Sequence, residues 1–441
     1  MNILLFSVPI HPLVDRETMK LVPPLGIYIL AGVLREHGHN VETYDHQFLL
    51  NFYETSWDTD VIDDMLENID VVGISSNSFT WGLAKELLEI VKKRPNPPYV
   101  ICGGVHPTFY DEYVLKTTKA DAVILGDGEE AIVELVDAIE GKRTFEGIKN
   151  ISYKKNNTVC QNGFKPFKKF FDYGTPAYDL IMEDVFFNVP VETSRGCYFQ
   201  CEFCSILDAH NWRGLDVETA VKRIEYAGTI TKKASIFDNV YIADNCFTAD
   251  INRATEILRR IMSNDKSYKM HFEARCSDLL QGKHDFIKVI NPERISSIQI
   301  GIESGYDRGL AKMKKGLKVD MIIECMENLK KIDCAKKTFL SFIIGLPWES
   351  REDCIKTIEF AKFLEEHYGA LVGVSWWLPL KSSLTDEGNE YGIHIDASTY
   401  DNPLWPKEFD FISTSFKGLN KEDIIYLSEN YSKYVKTIVD I

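Results

Sequence analysis

No apolar run in these 441 residues approaches the roughly 20 that a membrane-crossing helix needs. The opening stretch, Met1 to Val14, has no basic lead-in and reads as a buried strand rather than a signal peptide. Cations are in short supply: 50 Lys and Arg stand against 66 Asp and Glu, a formal net charge of −16. Nucleic-acid domains are usually basic, because phosphates are bound by positive patches. The lysine clusters Lys165–Lys169 and Lys312–Lys318 read as solvated faces, and no room is left after residue 400 for a basic RNA-binding domain. No nucleic-acid partner is therefore expected. GxGxxG and the Walker P-loop are both missing, which leaves nucleotide binding without support. Seven of the ten cysteines are scattered singly (Cys102, Cys160, Cys246, Cys276, Cys325, Cys334 and Cys354), as suits reduced core residues in a cytoplasmic protein.

The other three cysteines stand together, in Cys197-Tyr-Phe-Gln-Cys201-Glu-Phe-Cys204. They follow the apolar run Phe186 to Val191 and the step Ser194-Arg195-Gly196. Tight cysteine spacing is a metal signal before it is anything else. Three thiolates leave a cubane iron–sulfur cluster one ligand short, whereas an electron-transfer ferredoxin closes its cluster with four. An open iron implies a small molecule bound there. A zinc site would want a fourth Cys or His, and His210 does not stand at a standard spacing. A disulfide framework does not suit a chain this long without a signal peptide. CxxxCxxC with an aromatic residue, Phe203, before its last cysteine resembles the signature of radical S-adenosylmethionine (SAM) enzymes. The resemblance implies that Cys197, Cys201 and Cys204 ligate a [4Fe-4S] cluster and that its open iron chelates the amine and carboxylate of SAM. One electron would then split the sulfonium to give a 5′-deoxyadenosyl radical.

Residues 1–140 alternate strand and helix patterns. Strands are expected at Met1–Val8, Asn40–Tyr44, Val71–Ser75, Tyr99–Cys102 and Ala122–Leu125. Helices are expected at Leu25–Glu36, Trp57–Glu67, Thr80–Lys92, Thr108–Lys116 and Glu129–Ala138. Near-continuous apolar strands between helices predict an α/β fold with a doubly wound, Rossmann-like parallel sheet. Ligands of such sheets sit at the carboxyl ends of the strands. Small and turn-forming residues occupy those ends: Ser75-Ser76-Asn77-Ser78, Gly103-Gly104-Val105-His106-Pro107-Thr108 and Gly126-Asp127-Gly128-Glu129-Glu130. Helix capping accounts for some of them. With Pro23-Pro24-Leu25-Gly26-Ile27, the set resembles the cobalamin-binding domain fused to one large branch of radical SAM enzymes, with Asp127 where Glu is more usual.

That resemblance implies cobalamin contacts from Ser75, Ser76, Asn77, Gly103, Gly104, His106, Pro107, Thr108, Gly126, Gly128 and Glu129. DxHxxG is missing, and Asp45-His46 has no glycine after it. The cobalt's own base is then expected to be displaced without a histidine replacing it, with His11 and His106 as neighbours of the site. The alternative is a sheet kept as scaffold after losing its ligand.

Residues 141–188 are polar and read as a connector, with a hairpin of Ile151–Tyr153 and Thr158–Cys160 around Asn156-Asn157. From 189 to 385 the alternation resumes and resembles the partial (β/α)6 barrel of radical SAM enzymes, whose functional groups sit at strand ends. Strands are expected at Val189–Thr193, Ser235–Ile242, Met270–Ala274, Ser297–Ile302, Lys337–Ile344 and Leu371–Leu378. Gly301-Ile302-Glu303-Ser304-Gly305, Lys312-Met313-Lys314-Lys315-Gly316 and Gly345-Leu346-Pro347-Trp348-Glu349 with Thr357 resemble segments that bind SAM in the family. On that resemblance Glu303, beside Ser304, is assigned to the ribose or amine and Arg275 to the carboxylate. Asp244 or Asn245 is assigned to the methionyl amine, and Ser341 is a further cofactor-side candidate. The last barrel strand lacks the usual Pro-Gly-Thr-Pro-Leu turn and carries Trp376-Trp377 before Leu378–Leu384. Residues 386–441 are expected to form a short α-rich cap, with a helix from Lys421 to Ile438.

The resemblance as a whole implies a cobalamin-dependent radical SAM methyltransferase. It would act on a small molecule or peptide and draw electrons from a flavodoxin or ferredoxin. Two alternatives stay open at this level: a non-methylating radical reaction, and an iron–sulfur or cobalamin sensor.

Overall fold

The computed structural model describes residues 1–10, 22–45, 57, 59–170, 172–181, 186–207, 211–280, 285–407 and 409–435. His11, His46 and His210 lie outside the described residues, as does the end of the expected helix at 436–438. The chain divides into two compact units: residues 1–186 with 396–406, and residues 187–395 with 407–441.

In the first unit the order is β1 (Asn2–Ser7), α1 (Leu25–Glu36), β2 (Asn40–Asp45), α2 (Thr59–Met65), β3 (Val71–Ser75), α3 (Trp81–Val91), β4 (Tyr99–Gly103), α4 (Val105–Phe109), α5 (Asp111–Thr117), β5 (Ala122–Ile124), α6 (Glu129–Ile139), β6 (Ile151–Lys155) and β7 (Thr158–Gln161). They build one seven-stranded sheet in the order β2-β1-β3-β4-β5-β6-β7. The first five strands are parallel, and β6 and β7 are added antiparallel. Central strands are buried on both faces: Ile3 to Phe6, Val71 and Val72 are all 2% exposed or less. Helices on both sides account for this, and for the unbroken apolar runs. The chain order reverses between β1 and β3, the place where such sheets take ligands.

Residues 141–188 are more than a connector. Asn156 and Asn157 both take positive φ, 51° and 62°, and turn β6 back as β7, so the hairpin extends the sheet. Paired asparagines suit a two-residue turn that needs left-handed backbone. The expected cap also divides, because residues 396–406 leave it to join the first unit. There Asp401 accepts from Trp81 Nε1 at 2.9 Å, Lys85 Nζ at 2.6 Å and Tyr113 Oη at 2.6 Å.

The second unit runs β8 (Val189–Val191), β9 (Ser194–Arg195), β10 (Arg213–Gly214), α7 (Val217–Ala234), β11 (Asn239–Ile242), α8 (Ile251–Met262), β12 (Lys269–Ala274), α9 (Phe286–Val289), β13 (Ile295–Glu303), α10 (Asp307–Lys312), α11 (Val319–Lys331), β14 (Thr338–Ile344), α12 (Arg351–Tyr368), β15 (Leu371–Trp376), α13 (Phe411–Thr414) and α14 (Lys421–Asn430). Six parallel strands lie in the order β8-β11-β12-β13-β14-β15, an open partial barrel. Local chemistry sets the helix ends. Asp216 caps α7, Asp250 caps α8, a Ser350–Asp353 capping box opens α12, and Gly369 at φ 68° closes it.

Burial here alternates along the strands. Ile298, Ile300 and Ile302 are buried, while Ser297, Gln299 and Gly301 face the other way and stay half-buried. The concave face is thus polar: register sets Tyr241 beside His271, His271 beside Ser297, Glu273 beside Gln299 and Gly301 beside Ser341.

Candidate active site

The cysteine loop leaves the sheet at the end of β8. The antiparallel pair β9/β10 closes the base of the loop, matching Arg195 with Arg213 and Ser194 with Gly214. Asp244, 1% exposed at the end of β11, ties this corner down. Its carboxylate accepts from Thr193 N at 2.6 Å, Thr193 Oγ1 at 2.6 Å, Ser194 N at 2.9 Å and Ser194 Oγ at 2.6 Å. Asn245 Oδ1 accepts from Gly196 N at 3.1 Å, just before Cys197. Both oxygens of Asp244, which with Asn245 was the candidate for the methionyl amine, are thus engaged by the approach to the cysteines. Asn245 is likewise turned to that approach.

Within the loop Cys197 and Cys201 are half-buried and Cys204 is exposed. The loop is fastened by Glu202 N to the Met313 carbonyl at 3.1 Å and by Cys204 N to the Cys201 carbonyl at 3.1 Å. Burial raises the Cys197 thiol, and the charges of Arg275 and Lys315 work the other way. Among the described residues no three His, Cys, Asp or Glu groups converge on a single ion.

Arg275, at the end of β12, reaches this loop. Its guanidinium lies 3.4 Å from the Phe199 ring centroid, Nη1 donates to Cys201 Sγ at 3.9 Å, and Nη2 donates to the Lys315 carbonyl. Lys315 pairs with Glu303 at 3.1 Å, both side chains being 9% exposed, and its Nζ is 5.9 Å from the Phe203 ring. Glu303 stands at φ 74°, where β13 shifts register against β14. A non-glycine residue in that region costs about 1–3 kcal/mol and persists where the surroundings over-determine it. Half-buried His271 and Glu273 alternate with buried Met270 and Phe272 along β12, and no sequence motif assigns Glu273 a role. Tyr241 Oη donates to Glu273 Oε1 at 2.9 Å on the concave face. Burial raises Glu273 and pushes His271 down to about 4.

Ser304 is fully buried and turned toward Tyr306 at 3.5 Å, so it supports the start of α10 rather than facing the opening. Thr357 Oγ1 accepts from Gly305 N at 3.1 Å, tying α12 to the turn after β13. Glu349 is 0% exposed and accepts from Leu346 N and Tyr306 Oη, both at 3.1 Å. Burial lifts its carboxyl to about 7 against those two hydrogen bonds. Ser341 sits half-buried on the concave face.

In the first unit the expected residues gather at the carboxyl ends of β3, β4 and β5. Ser76 N donates to the Gly103 carbonyl at 3.0 Å, and the Ser76 carbonyl accepts from His106 N at 3.3 Å. Thr108 Oγ1 donates to the Gly104 carbonyl at 2.7 Å and accepts from Gly126 N at 3.0 Å, joining two loops. Gly104 has φ 92°, and a Cβ there would stand 2.4 Å from the Ser76 carbonyl oxygen. Gly126, at φ 73°, closes against Phe164 and Phe167, and Gly128 precedes Glu129, which is 3% exposed in the first turn of α6. Ser75 ends β3, and Asn77 caps the following turn by accepting from Phe79 N at 2.9 Å. His106 and Pro107 are buried. His106 packs 4.7 Å from Trp81 and 5.4 Å from Tyr400, with Nδ1 3.1 Å from Ser78 Oγ. Burial pushes its pKa down to about 3. It lines the interior of the unit, with Nε2 buried and without a partner among the described residues.

Comparison with known proteins agrees with both halves. The B12 binding domain model matches residues 14–136, and the Radical SAM superfamily model matches residues 191–361. An uncharacterised methyltransferase of Pyrococcus horikoshii is 30% identical over 379 residues, 83% of this chain and 79% of the relative. The chain belongs to the radical SAM enzymes that carry a B12-binding domain. This family works with a [4Fe-4S] cluster, SAM and cobalamin.

Among its radical SAM relatives is the anaerobic magnesium-protoporphyrin IX monomethyl ester cyclase of Rubrivivax gelatinosus, 22% identical over 77% of this chain and 62% of the relative. The fold is that of OxsB, a cobalamin-dependent SAM radical enzyme solved with aqua-cobalamin and SAM (TM-score 0.67, 20% identity). That match covers 98% of this chain and 61% of the OxsB chain. The donor sets fit the family's groups. Three cysteines on one loop with two buried cations beside them suit an anionic cluster. Open space lies where a Cβ of Gly103 would stand, and Ser76 Oγ is buried with no partner among the described residues. Both suit a large ligand that approaches backbone closely. No described helix is long and apolar enough to cross a membrane.

Proposed function

We propose that this chain is a methyltransferase of the family, one that moves a methyl group to an unactivated carbon of a small-molecule or peptide substrate. When bound, the cluster supplies the electron that splits SAM, and cobalamin supplies the methyl group. Cys197, Cys201 and Cys204 would hold the cluster, beside which SAM would bind. Glu303, held in place by Lys315, takes the ribose or amine of SAM. Asp244 and Asn245 fix the entry to the cysteine loop. The loops at Ser75–Asn77, Gly103–Thr108 and Gly126–Glu129 receive cobalamin by shape and backbone. The polar face of β11 to β14 orients the substrate, with the Glu273 carboxyl, held by Tyr241, as an anchor for a hydrogen-bond donor. An external one-electron donor restores the cluster.

The observation that carries this reading is the convergence on one cysteine loop of Arg275 from β12 and Lys315, paired with Glu303, from beyond β13. The test is product analysis after anaerobic turnover with SAM, cobalamin and a strong reductant in cell extract. S-Adenosylhomocysteine and 5′-deoxyadenosine are both expected. The similarity to a cyclase over 77% of this chain favours a second reading, a radical reaction without methyl transfer. Methionine and 5′-deoxyadenosine without S-adenosylhomocysteine would overturn the first reading and leave the second.

A further inference from the structure

Arg275 is placed unlike a carboxylate-binding arginine that waits for SAM. Its backbone N donates to Thr248 Oγ1 at 3.2 Å, and Thr248 Oγ1 donates to Asp278 at 2.7 Å, so the stem is fixed where it leaves β12. Arg275 is 8% exposed, and its guanidinium is laid on the Phe199 ring inside the cysteine loop. One prong donates to the Lys315 carbonyl and the other to Cys201 Sγ. Its Nε–H is buried with no acceptor among the described residues, a donor left over for the group that the cysteines hold.

We infer that Arg275 is a positioning residue that acts on the cluster through Cys201 and makes the cluster easier to reduce. The inference rests on the three-cysteine ligation proposed above. Arginine keeps its charge at every accessible pH, and its planar fork holds two acceptors at once. Reduction adds one negative charge to the cluster. A fixed cation and an N–H···S bond stabilise the more negative state and raise the potential, since hydrogen bonds to the sulfurs and net local charge set it. Burial keeps solvent ions from screening the effect. Lys315 and Glu303 largely cancel each other at 3.1 Å, so Arg275 is the cation beside the loop without a carboxylate partner within ion-pair distance among the described residues.

The experiment is an EPR-monitored reductive titration of the reconstituted full-length protein, with SAM binding measured alongside, for wild type, Arg275→Gln and Arg275→Lys. In Arg275→Gln the ratio of reduced to oxidised cluster at a fixed potential is expected to fall about tenfold, or about 59 mV for a one-electron couple. Arg275→Lys, which keeps the charge and loses the fork, falls by a smaller margin in the same direction. An unchanged midpoint in Arg275→Gln overturns the inference, and if SAM binding is lost as well it returns Arg275 to the SAM carboxylate. Should Arg275→Gln take up no cluster, a wild-type midpoint in Arg275→Lys overturns it instead. Wild-type protein that shows no one-electron [4Fe-4S] signal would sink the ligation reading itself, a failure distinct from an unmoved midpoint.

Discussion

The two units are both parallel sheets flanked by helices, yet they present opposite surfaces to their ligands. In the first, strands are buried on both faces and the carboxyl ends carry glycine, serine and threonine, with loops held to each other through backbone groups and Thr108. In the second, one face of the sheet stays open and polar, and the strand ends carry Asp244, Arg275 and Glu303, with Lys315 close by. Such a contrast follows from ligand chemistry. A large, rigid ring system is bound by shape and close backbone approach, which glycine permits. A small zwitterion and an anionic cluster are bound by charge, and charge in a buried place must be paired or heavily hydrogen-bonded. Asp244 meets that demand with four hydrogen bonds and Glu303 with Lys315.

Breaking one side should spare the other. The largest effect is expected from Cys201→Ala: iron per chain falls to background and SAM cleavage stops, with cobalt uptake retained. Asp244→Ala strands two backbone N–H groups and two hydroxyls at the base of the cysteine loop. It is expected to cost about 3 kcal/mol or more in the second unit's stability, read by denaturant unfolding, because each buried hydrogen bond to a charged group contributes about 1.5–3 kcal/mol. Lys315→Met leaves Glu303 charged and buried, at a cost of about 3–5 kcal/mol. The double variant with Glu303→Gln should recover part of that loss, and a double-variant cycle checks it. Gly104→Ala loads the first unit instead. The clash with the Ser76 carbonyl and the positive φ are expected to cost about 1–3 kcal/mol and to lower cobalt content while iron stays at the wild-type level.

The smallest effect is a pH response of opposite sign in the two units. His106 titrates near 3 when folded and near 6.5 when unfolded, so the unfolded chain binds the extra proton in between. Stability of the first unit is full above about pH 6.5 and falls by about 2 kcal/mol between pH 7 and pH 5. Asp401, the charged group facing His106, works against this shift. Glu349 is raised to about 7, so its contribution is full below its unfolded value of 4.5 and is lost as pH rises toward 7. Unit-resolved hydrogen exchange at pH 5 and pH 7.5 should show the first unit loosening at the acid end and the turn after β14 loosening at the alkaline end.

What could be read from the sequence was what is local. Val71–Ser75 appears as a strand within its expected bounds because its apolar run is itself the signal. The hairpin at Asn156-Asn157 follows from turn chemistry inside a few residues. The three cysteines carry their own spacing. What could not be read depends on partners far apart in the chain. Asp244 is an anchor only because Thr193 and Ser194, about 50 residues earlier, come beside it. Arg275 turns to Cys201 across 74 residues, and Asp401 reaches Trp81 across 320. The motif named Lys315 without its role, since nothing local says that it pairs with Glu303. His106 stood in a cofactor motif, yet Trp81 and Tyr400 enclose it. The α7 helix runs on to Ala234 because Ala227, Thr231 and Ala234 continue its buried stripe.

The most direct test of the account is iron and cobalt per chain in protein purified anaerobically from cells supplied with hydroxocobalamin, for wild type, Cys201→Ala and Gly104→Ala. The account predicts about four irons and about one cobalt in wild type, as a cubane and one cobalamin require. It further predicts loss of iron alone in the first variant and depletion of cobalt alone in the second. Wild-type protein without cobalt, or iron and cobalt lost together in either variant, would contradict the division of ligands between the two units.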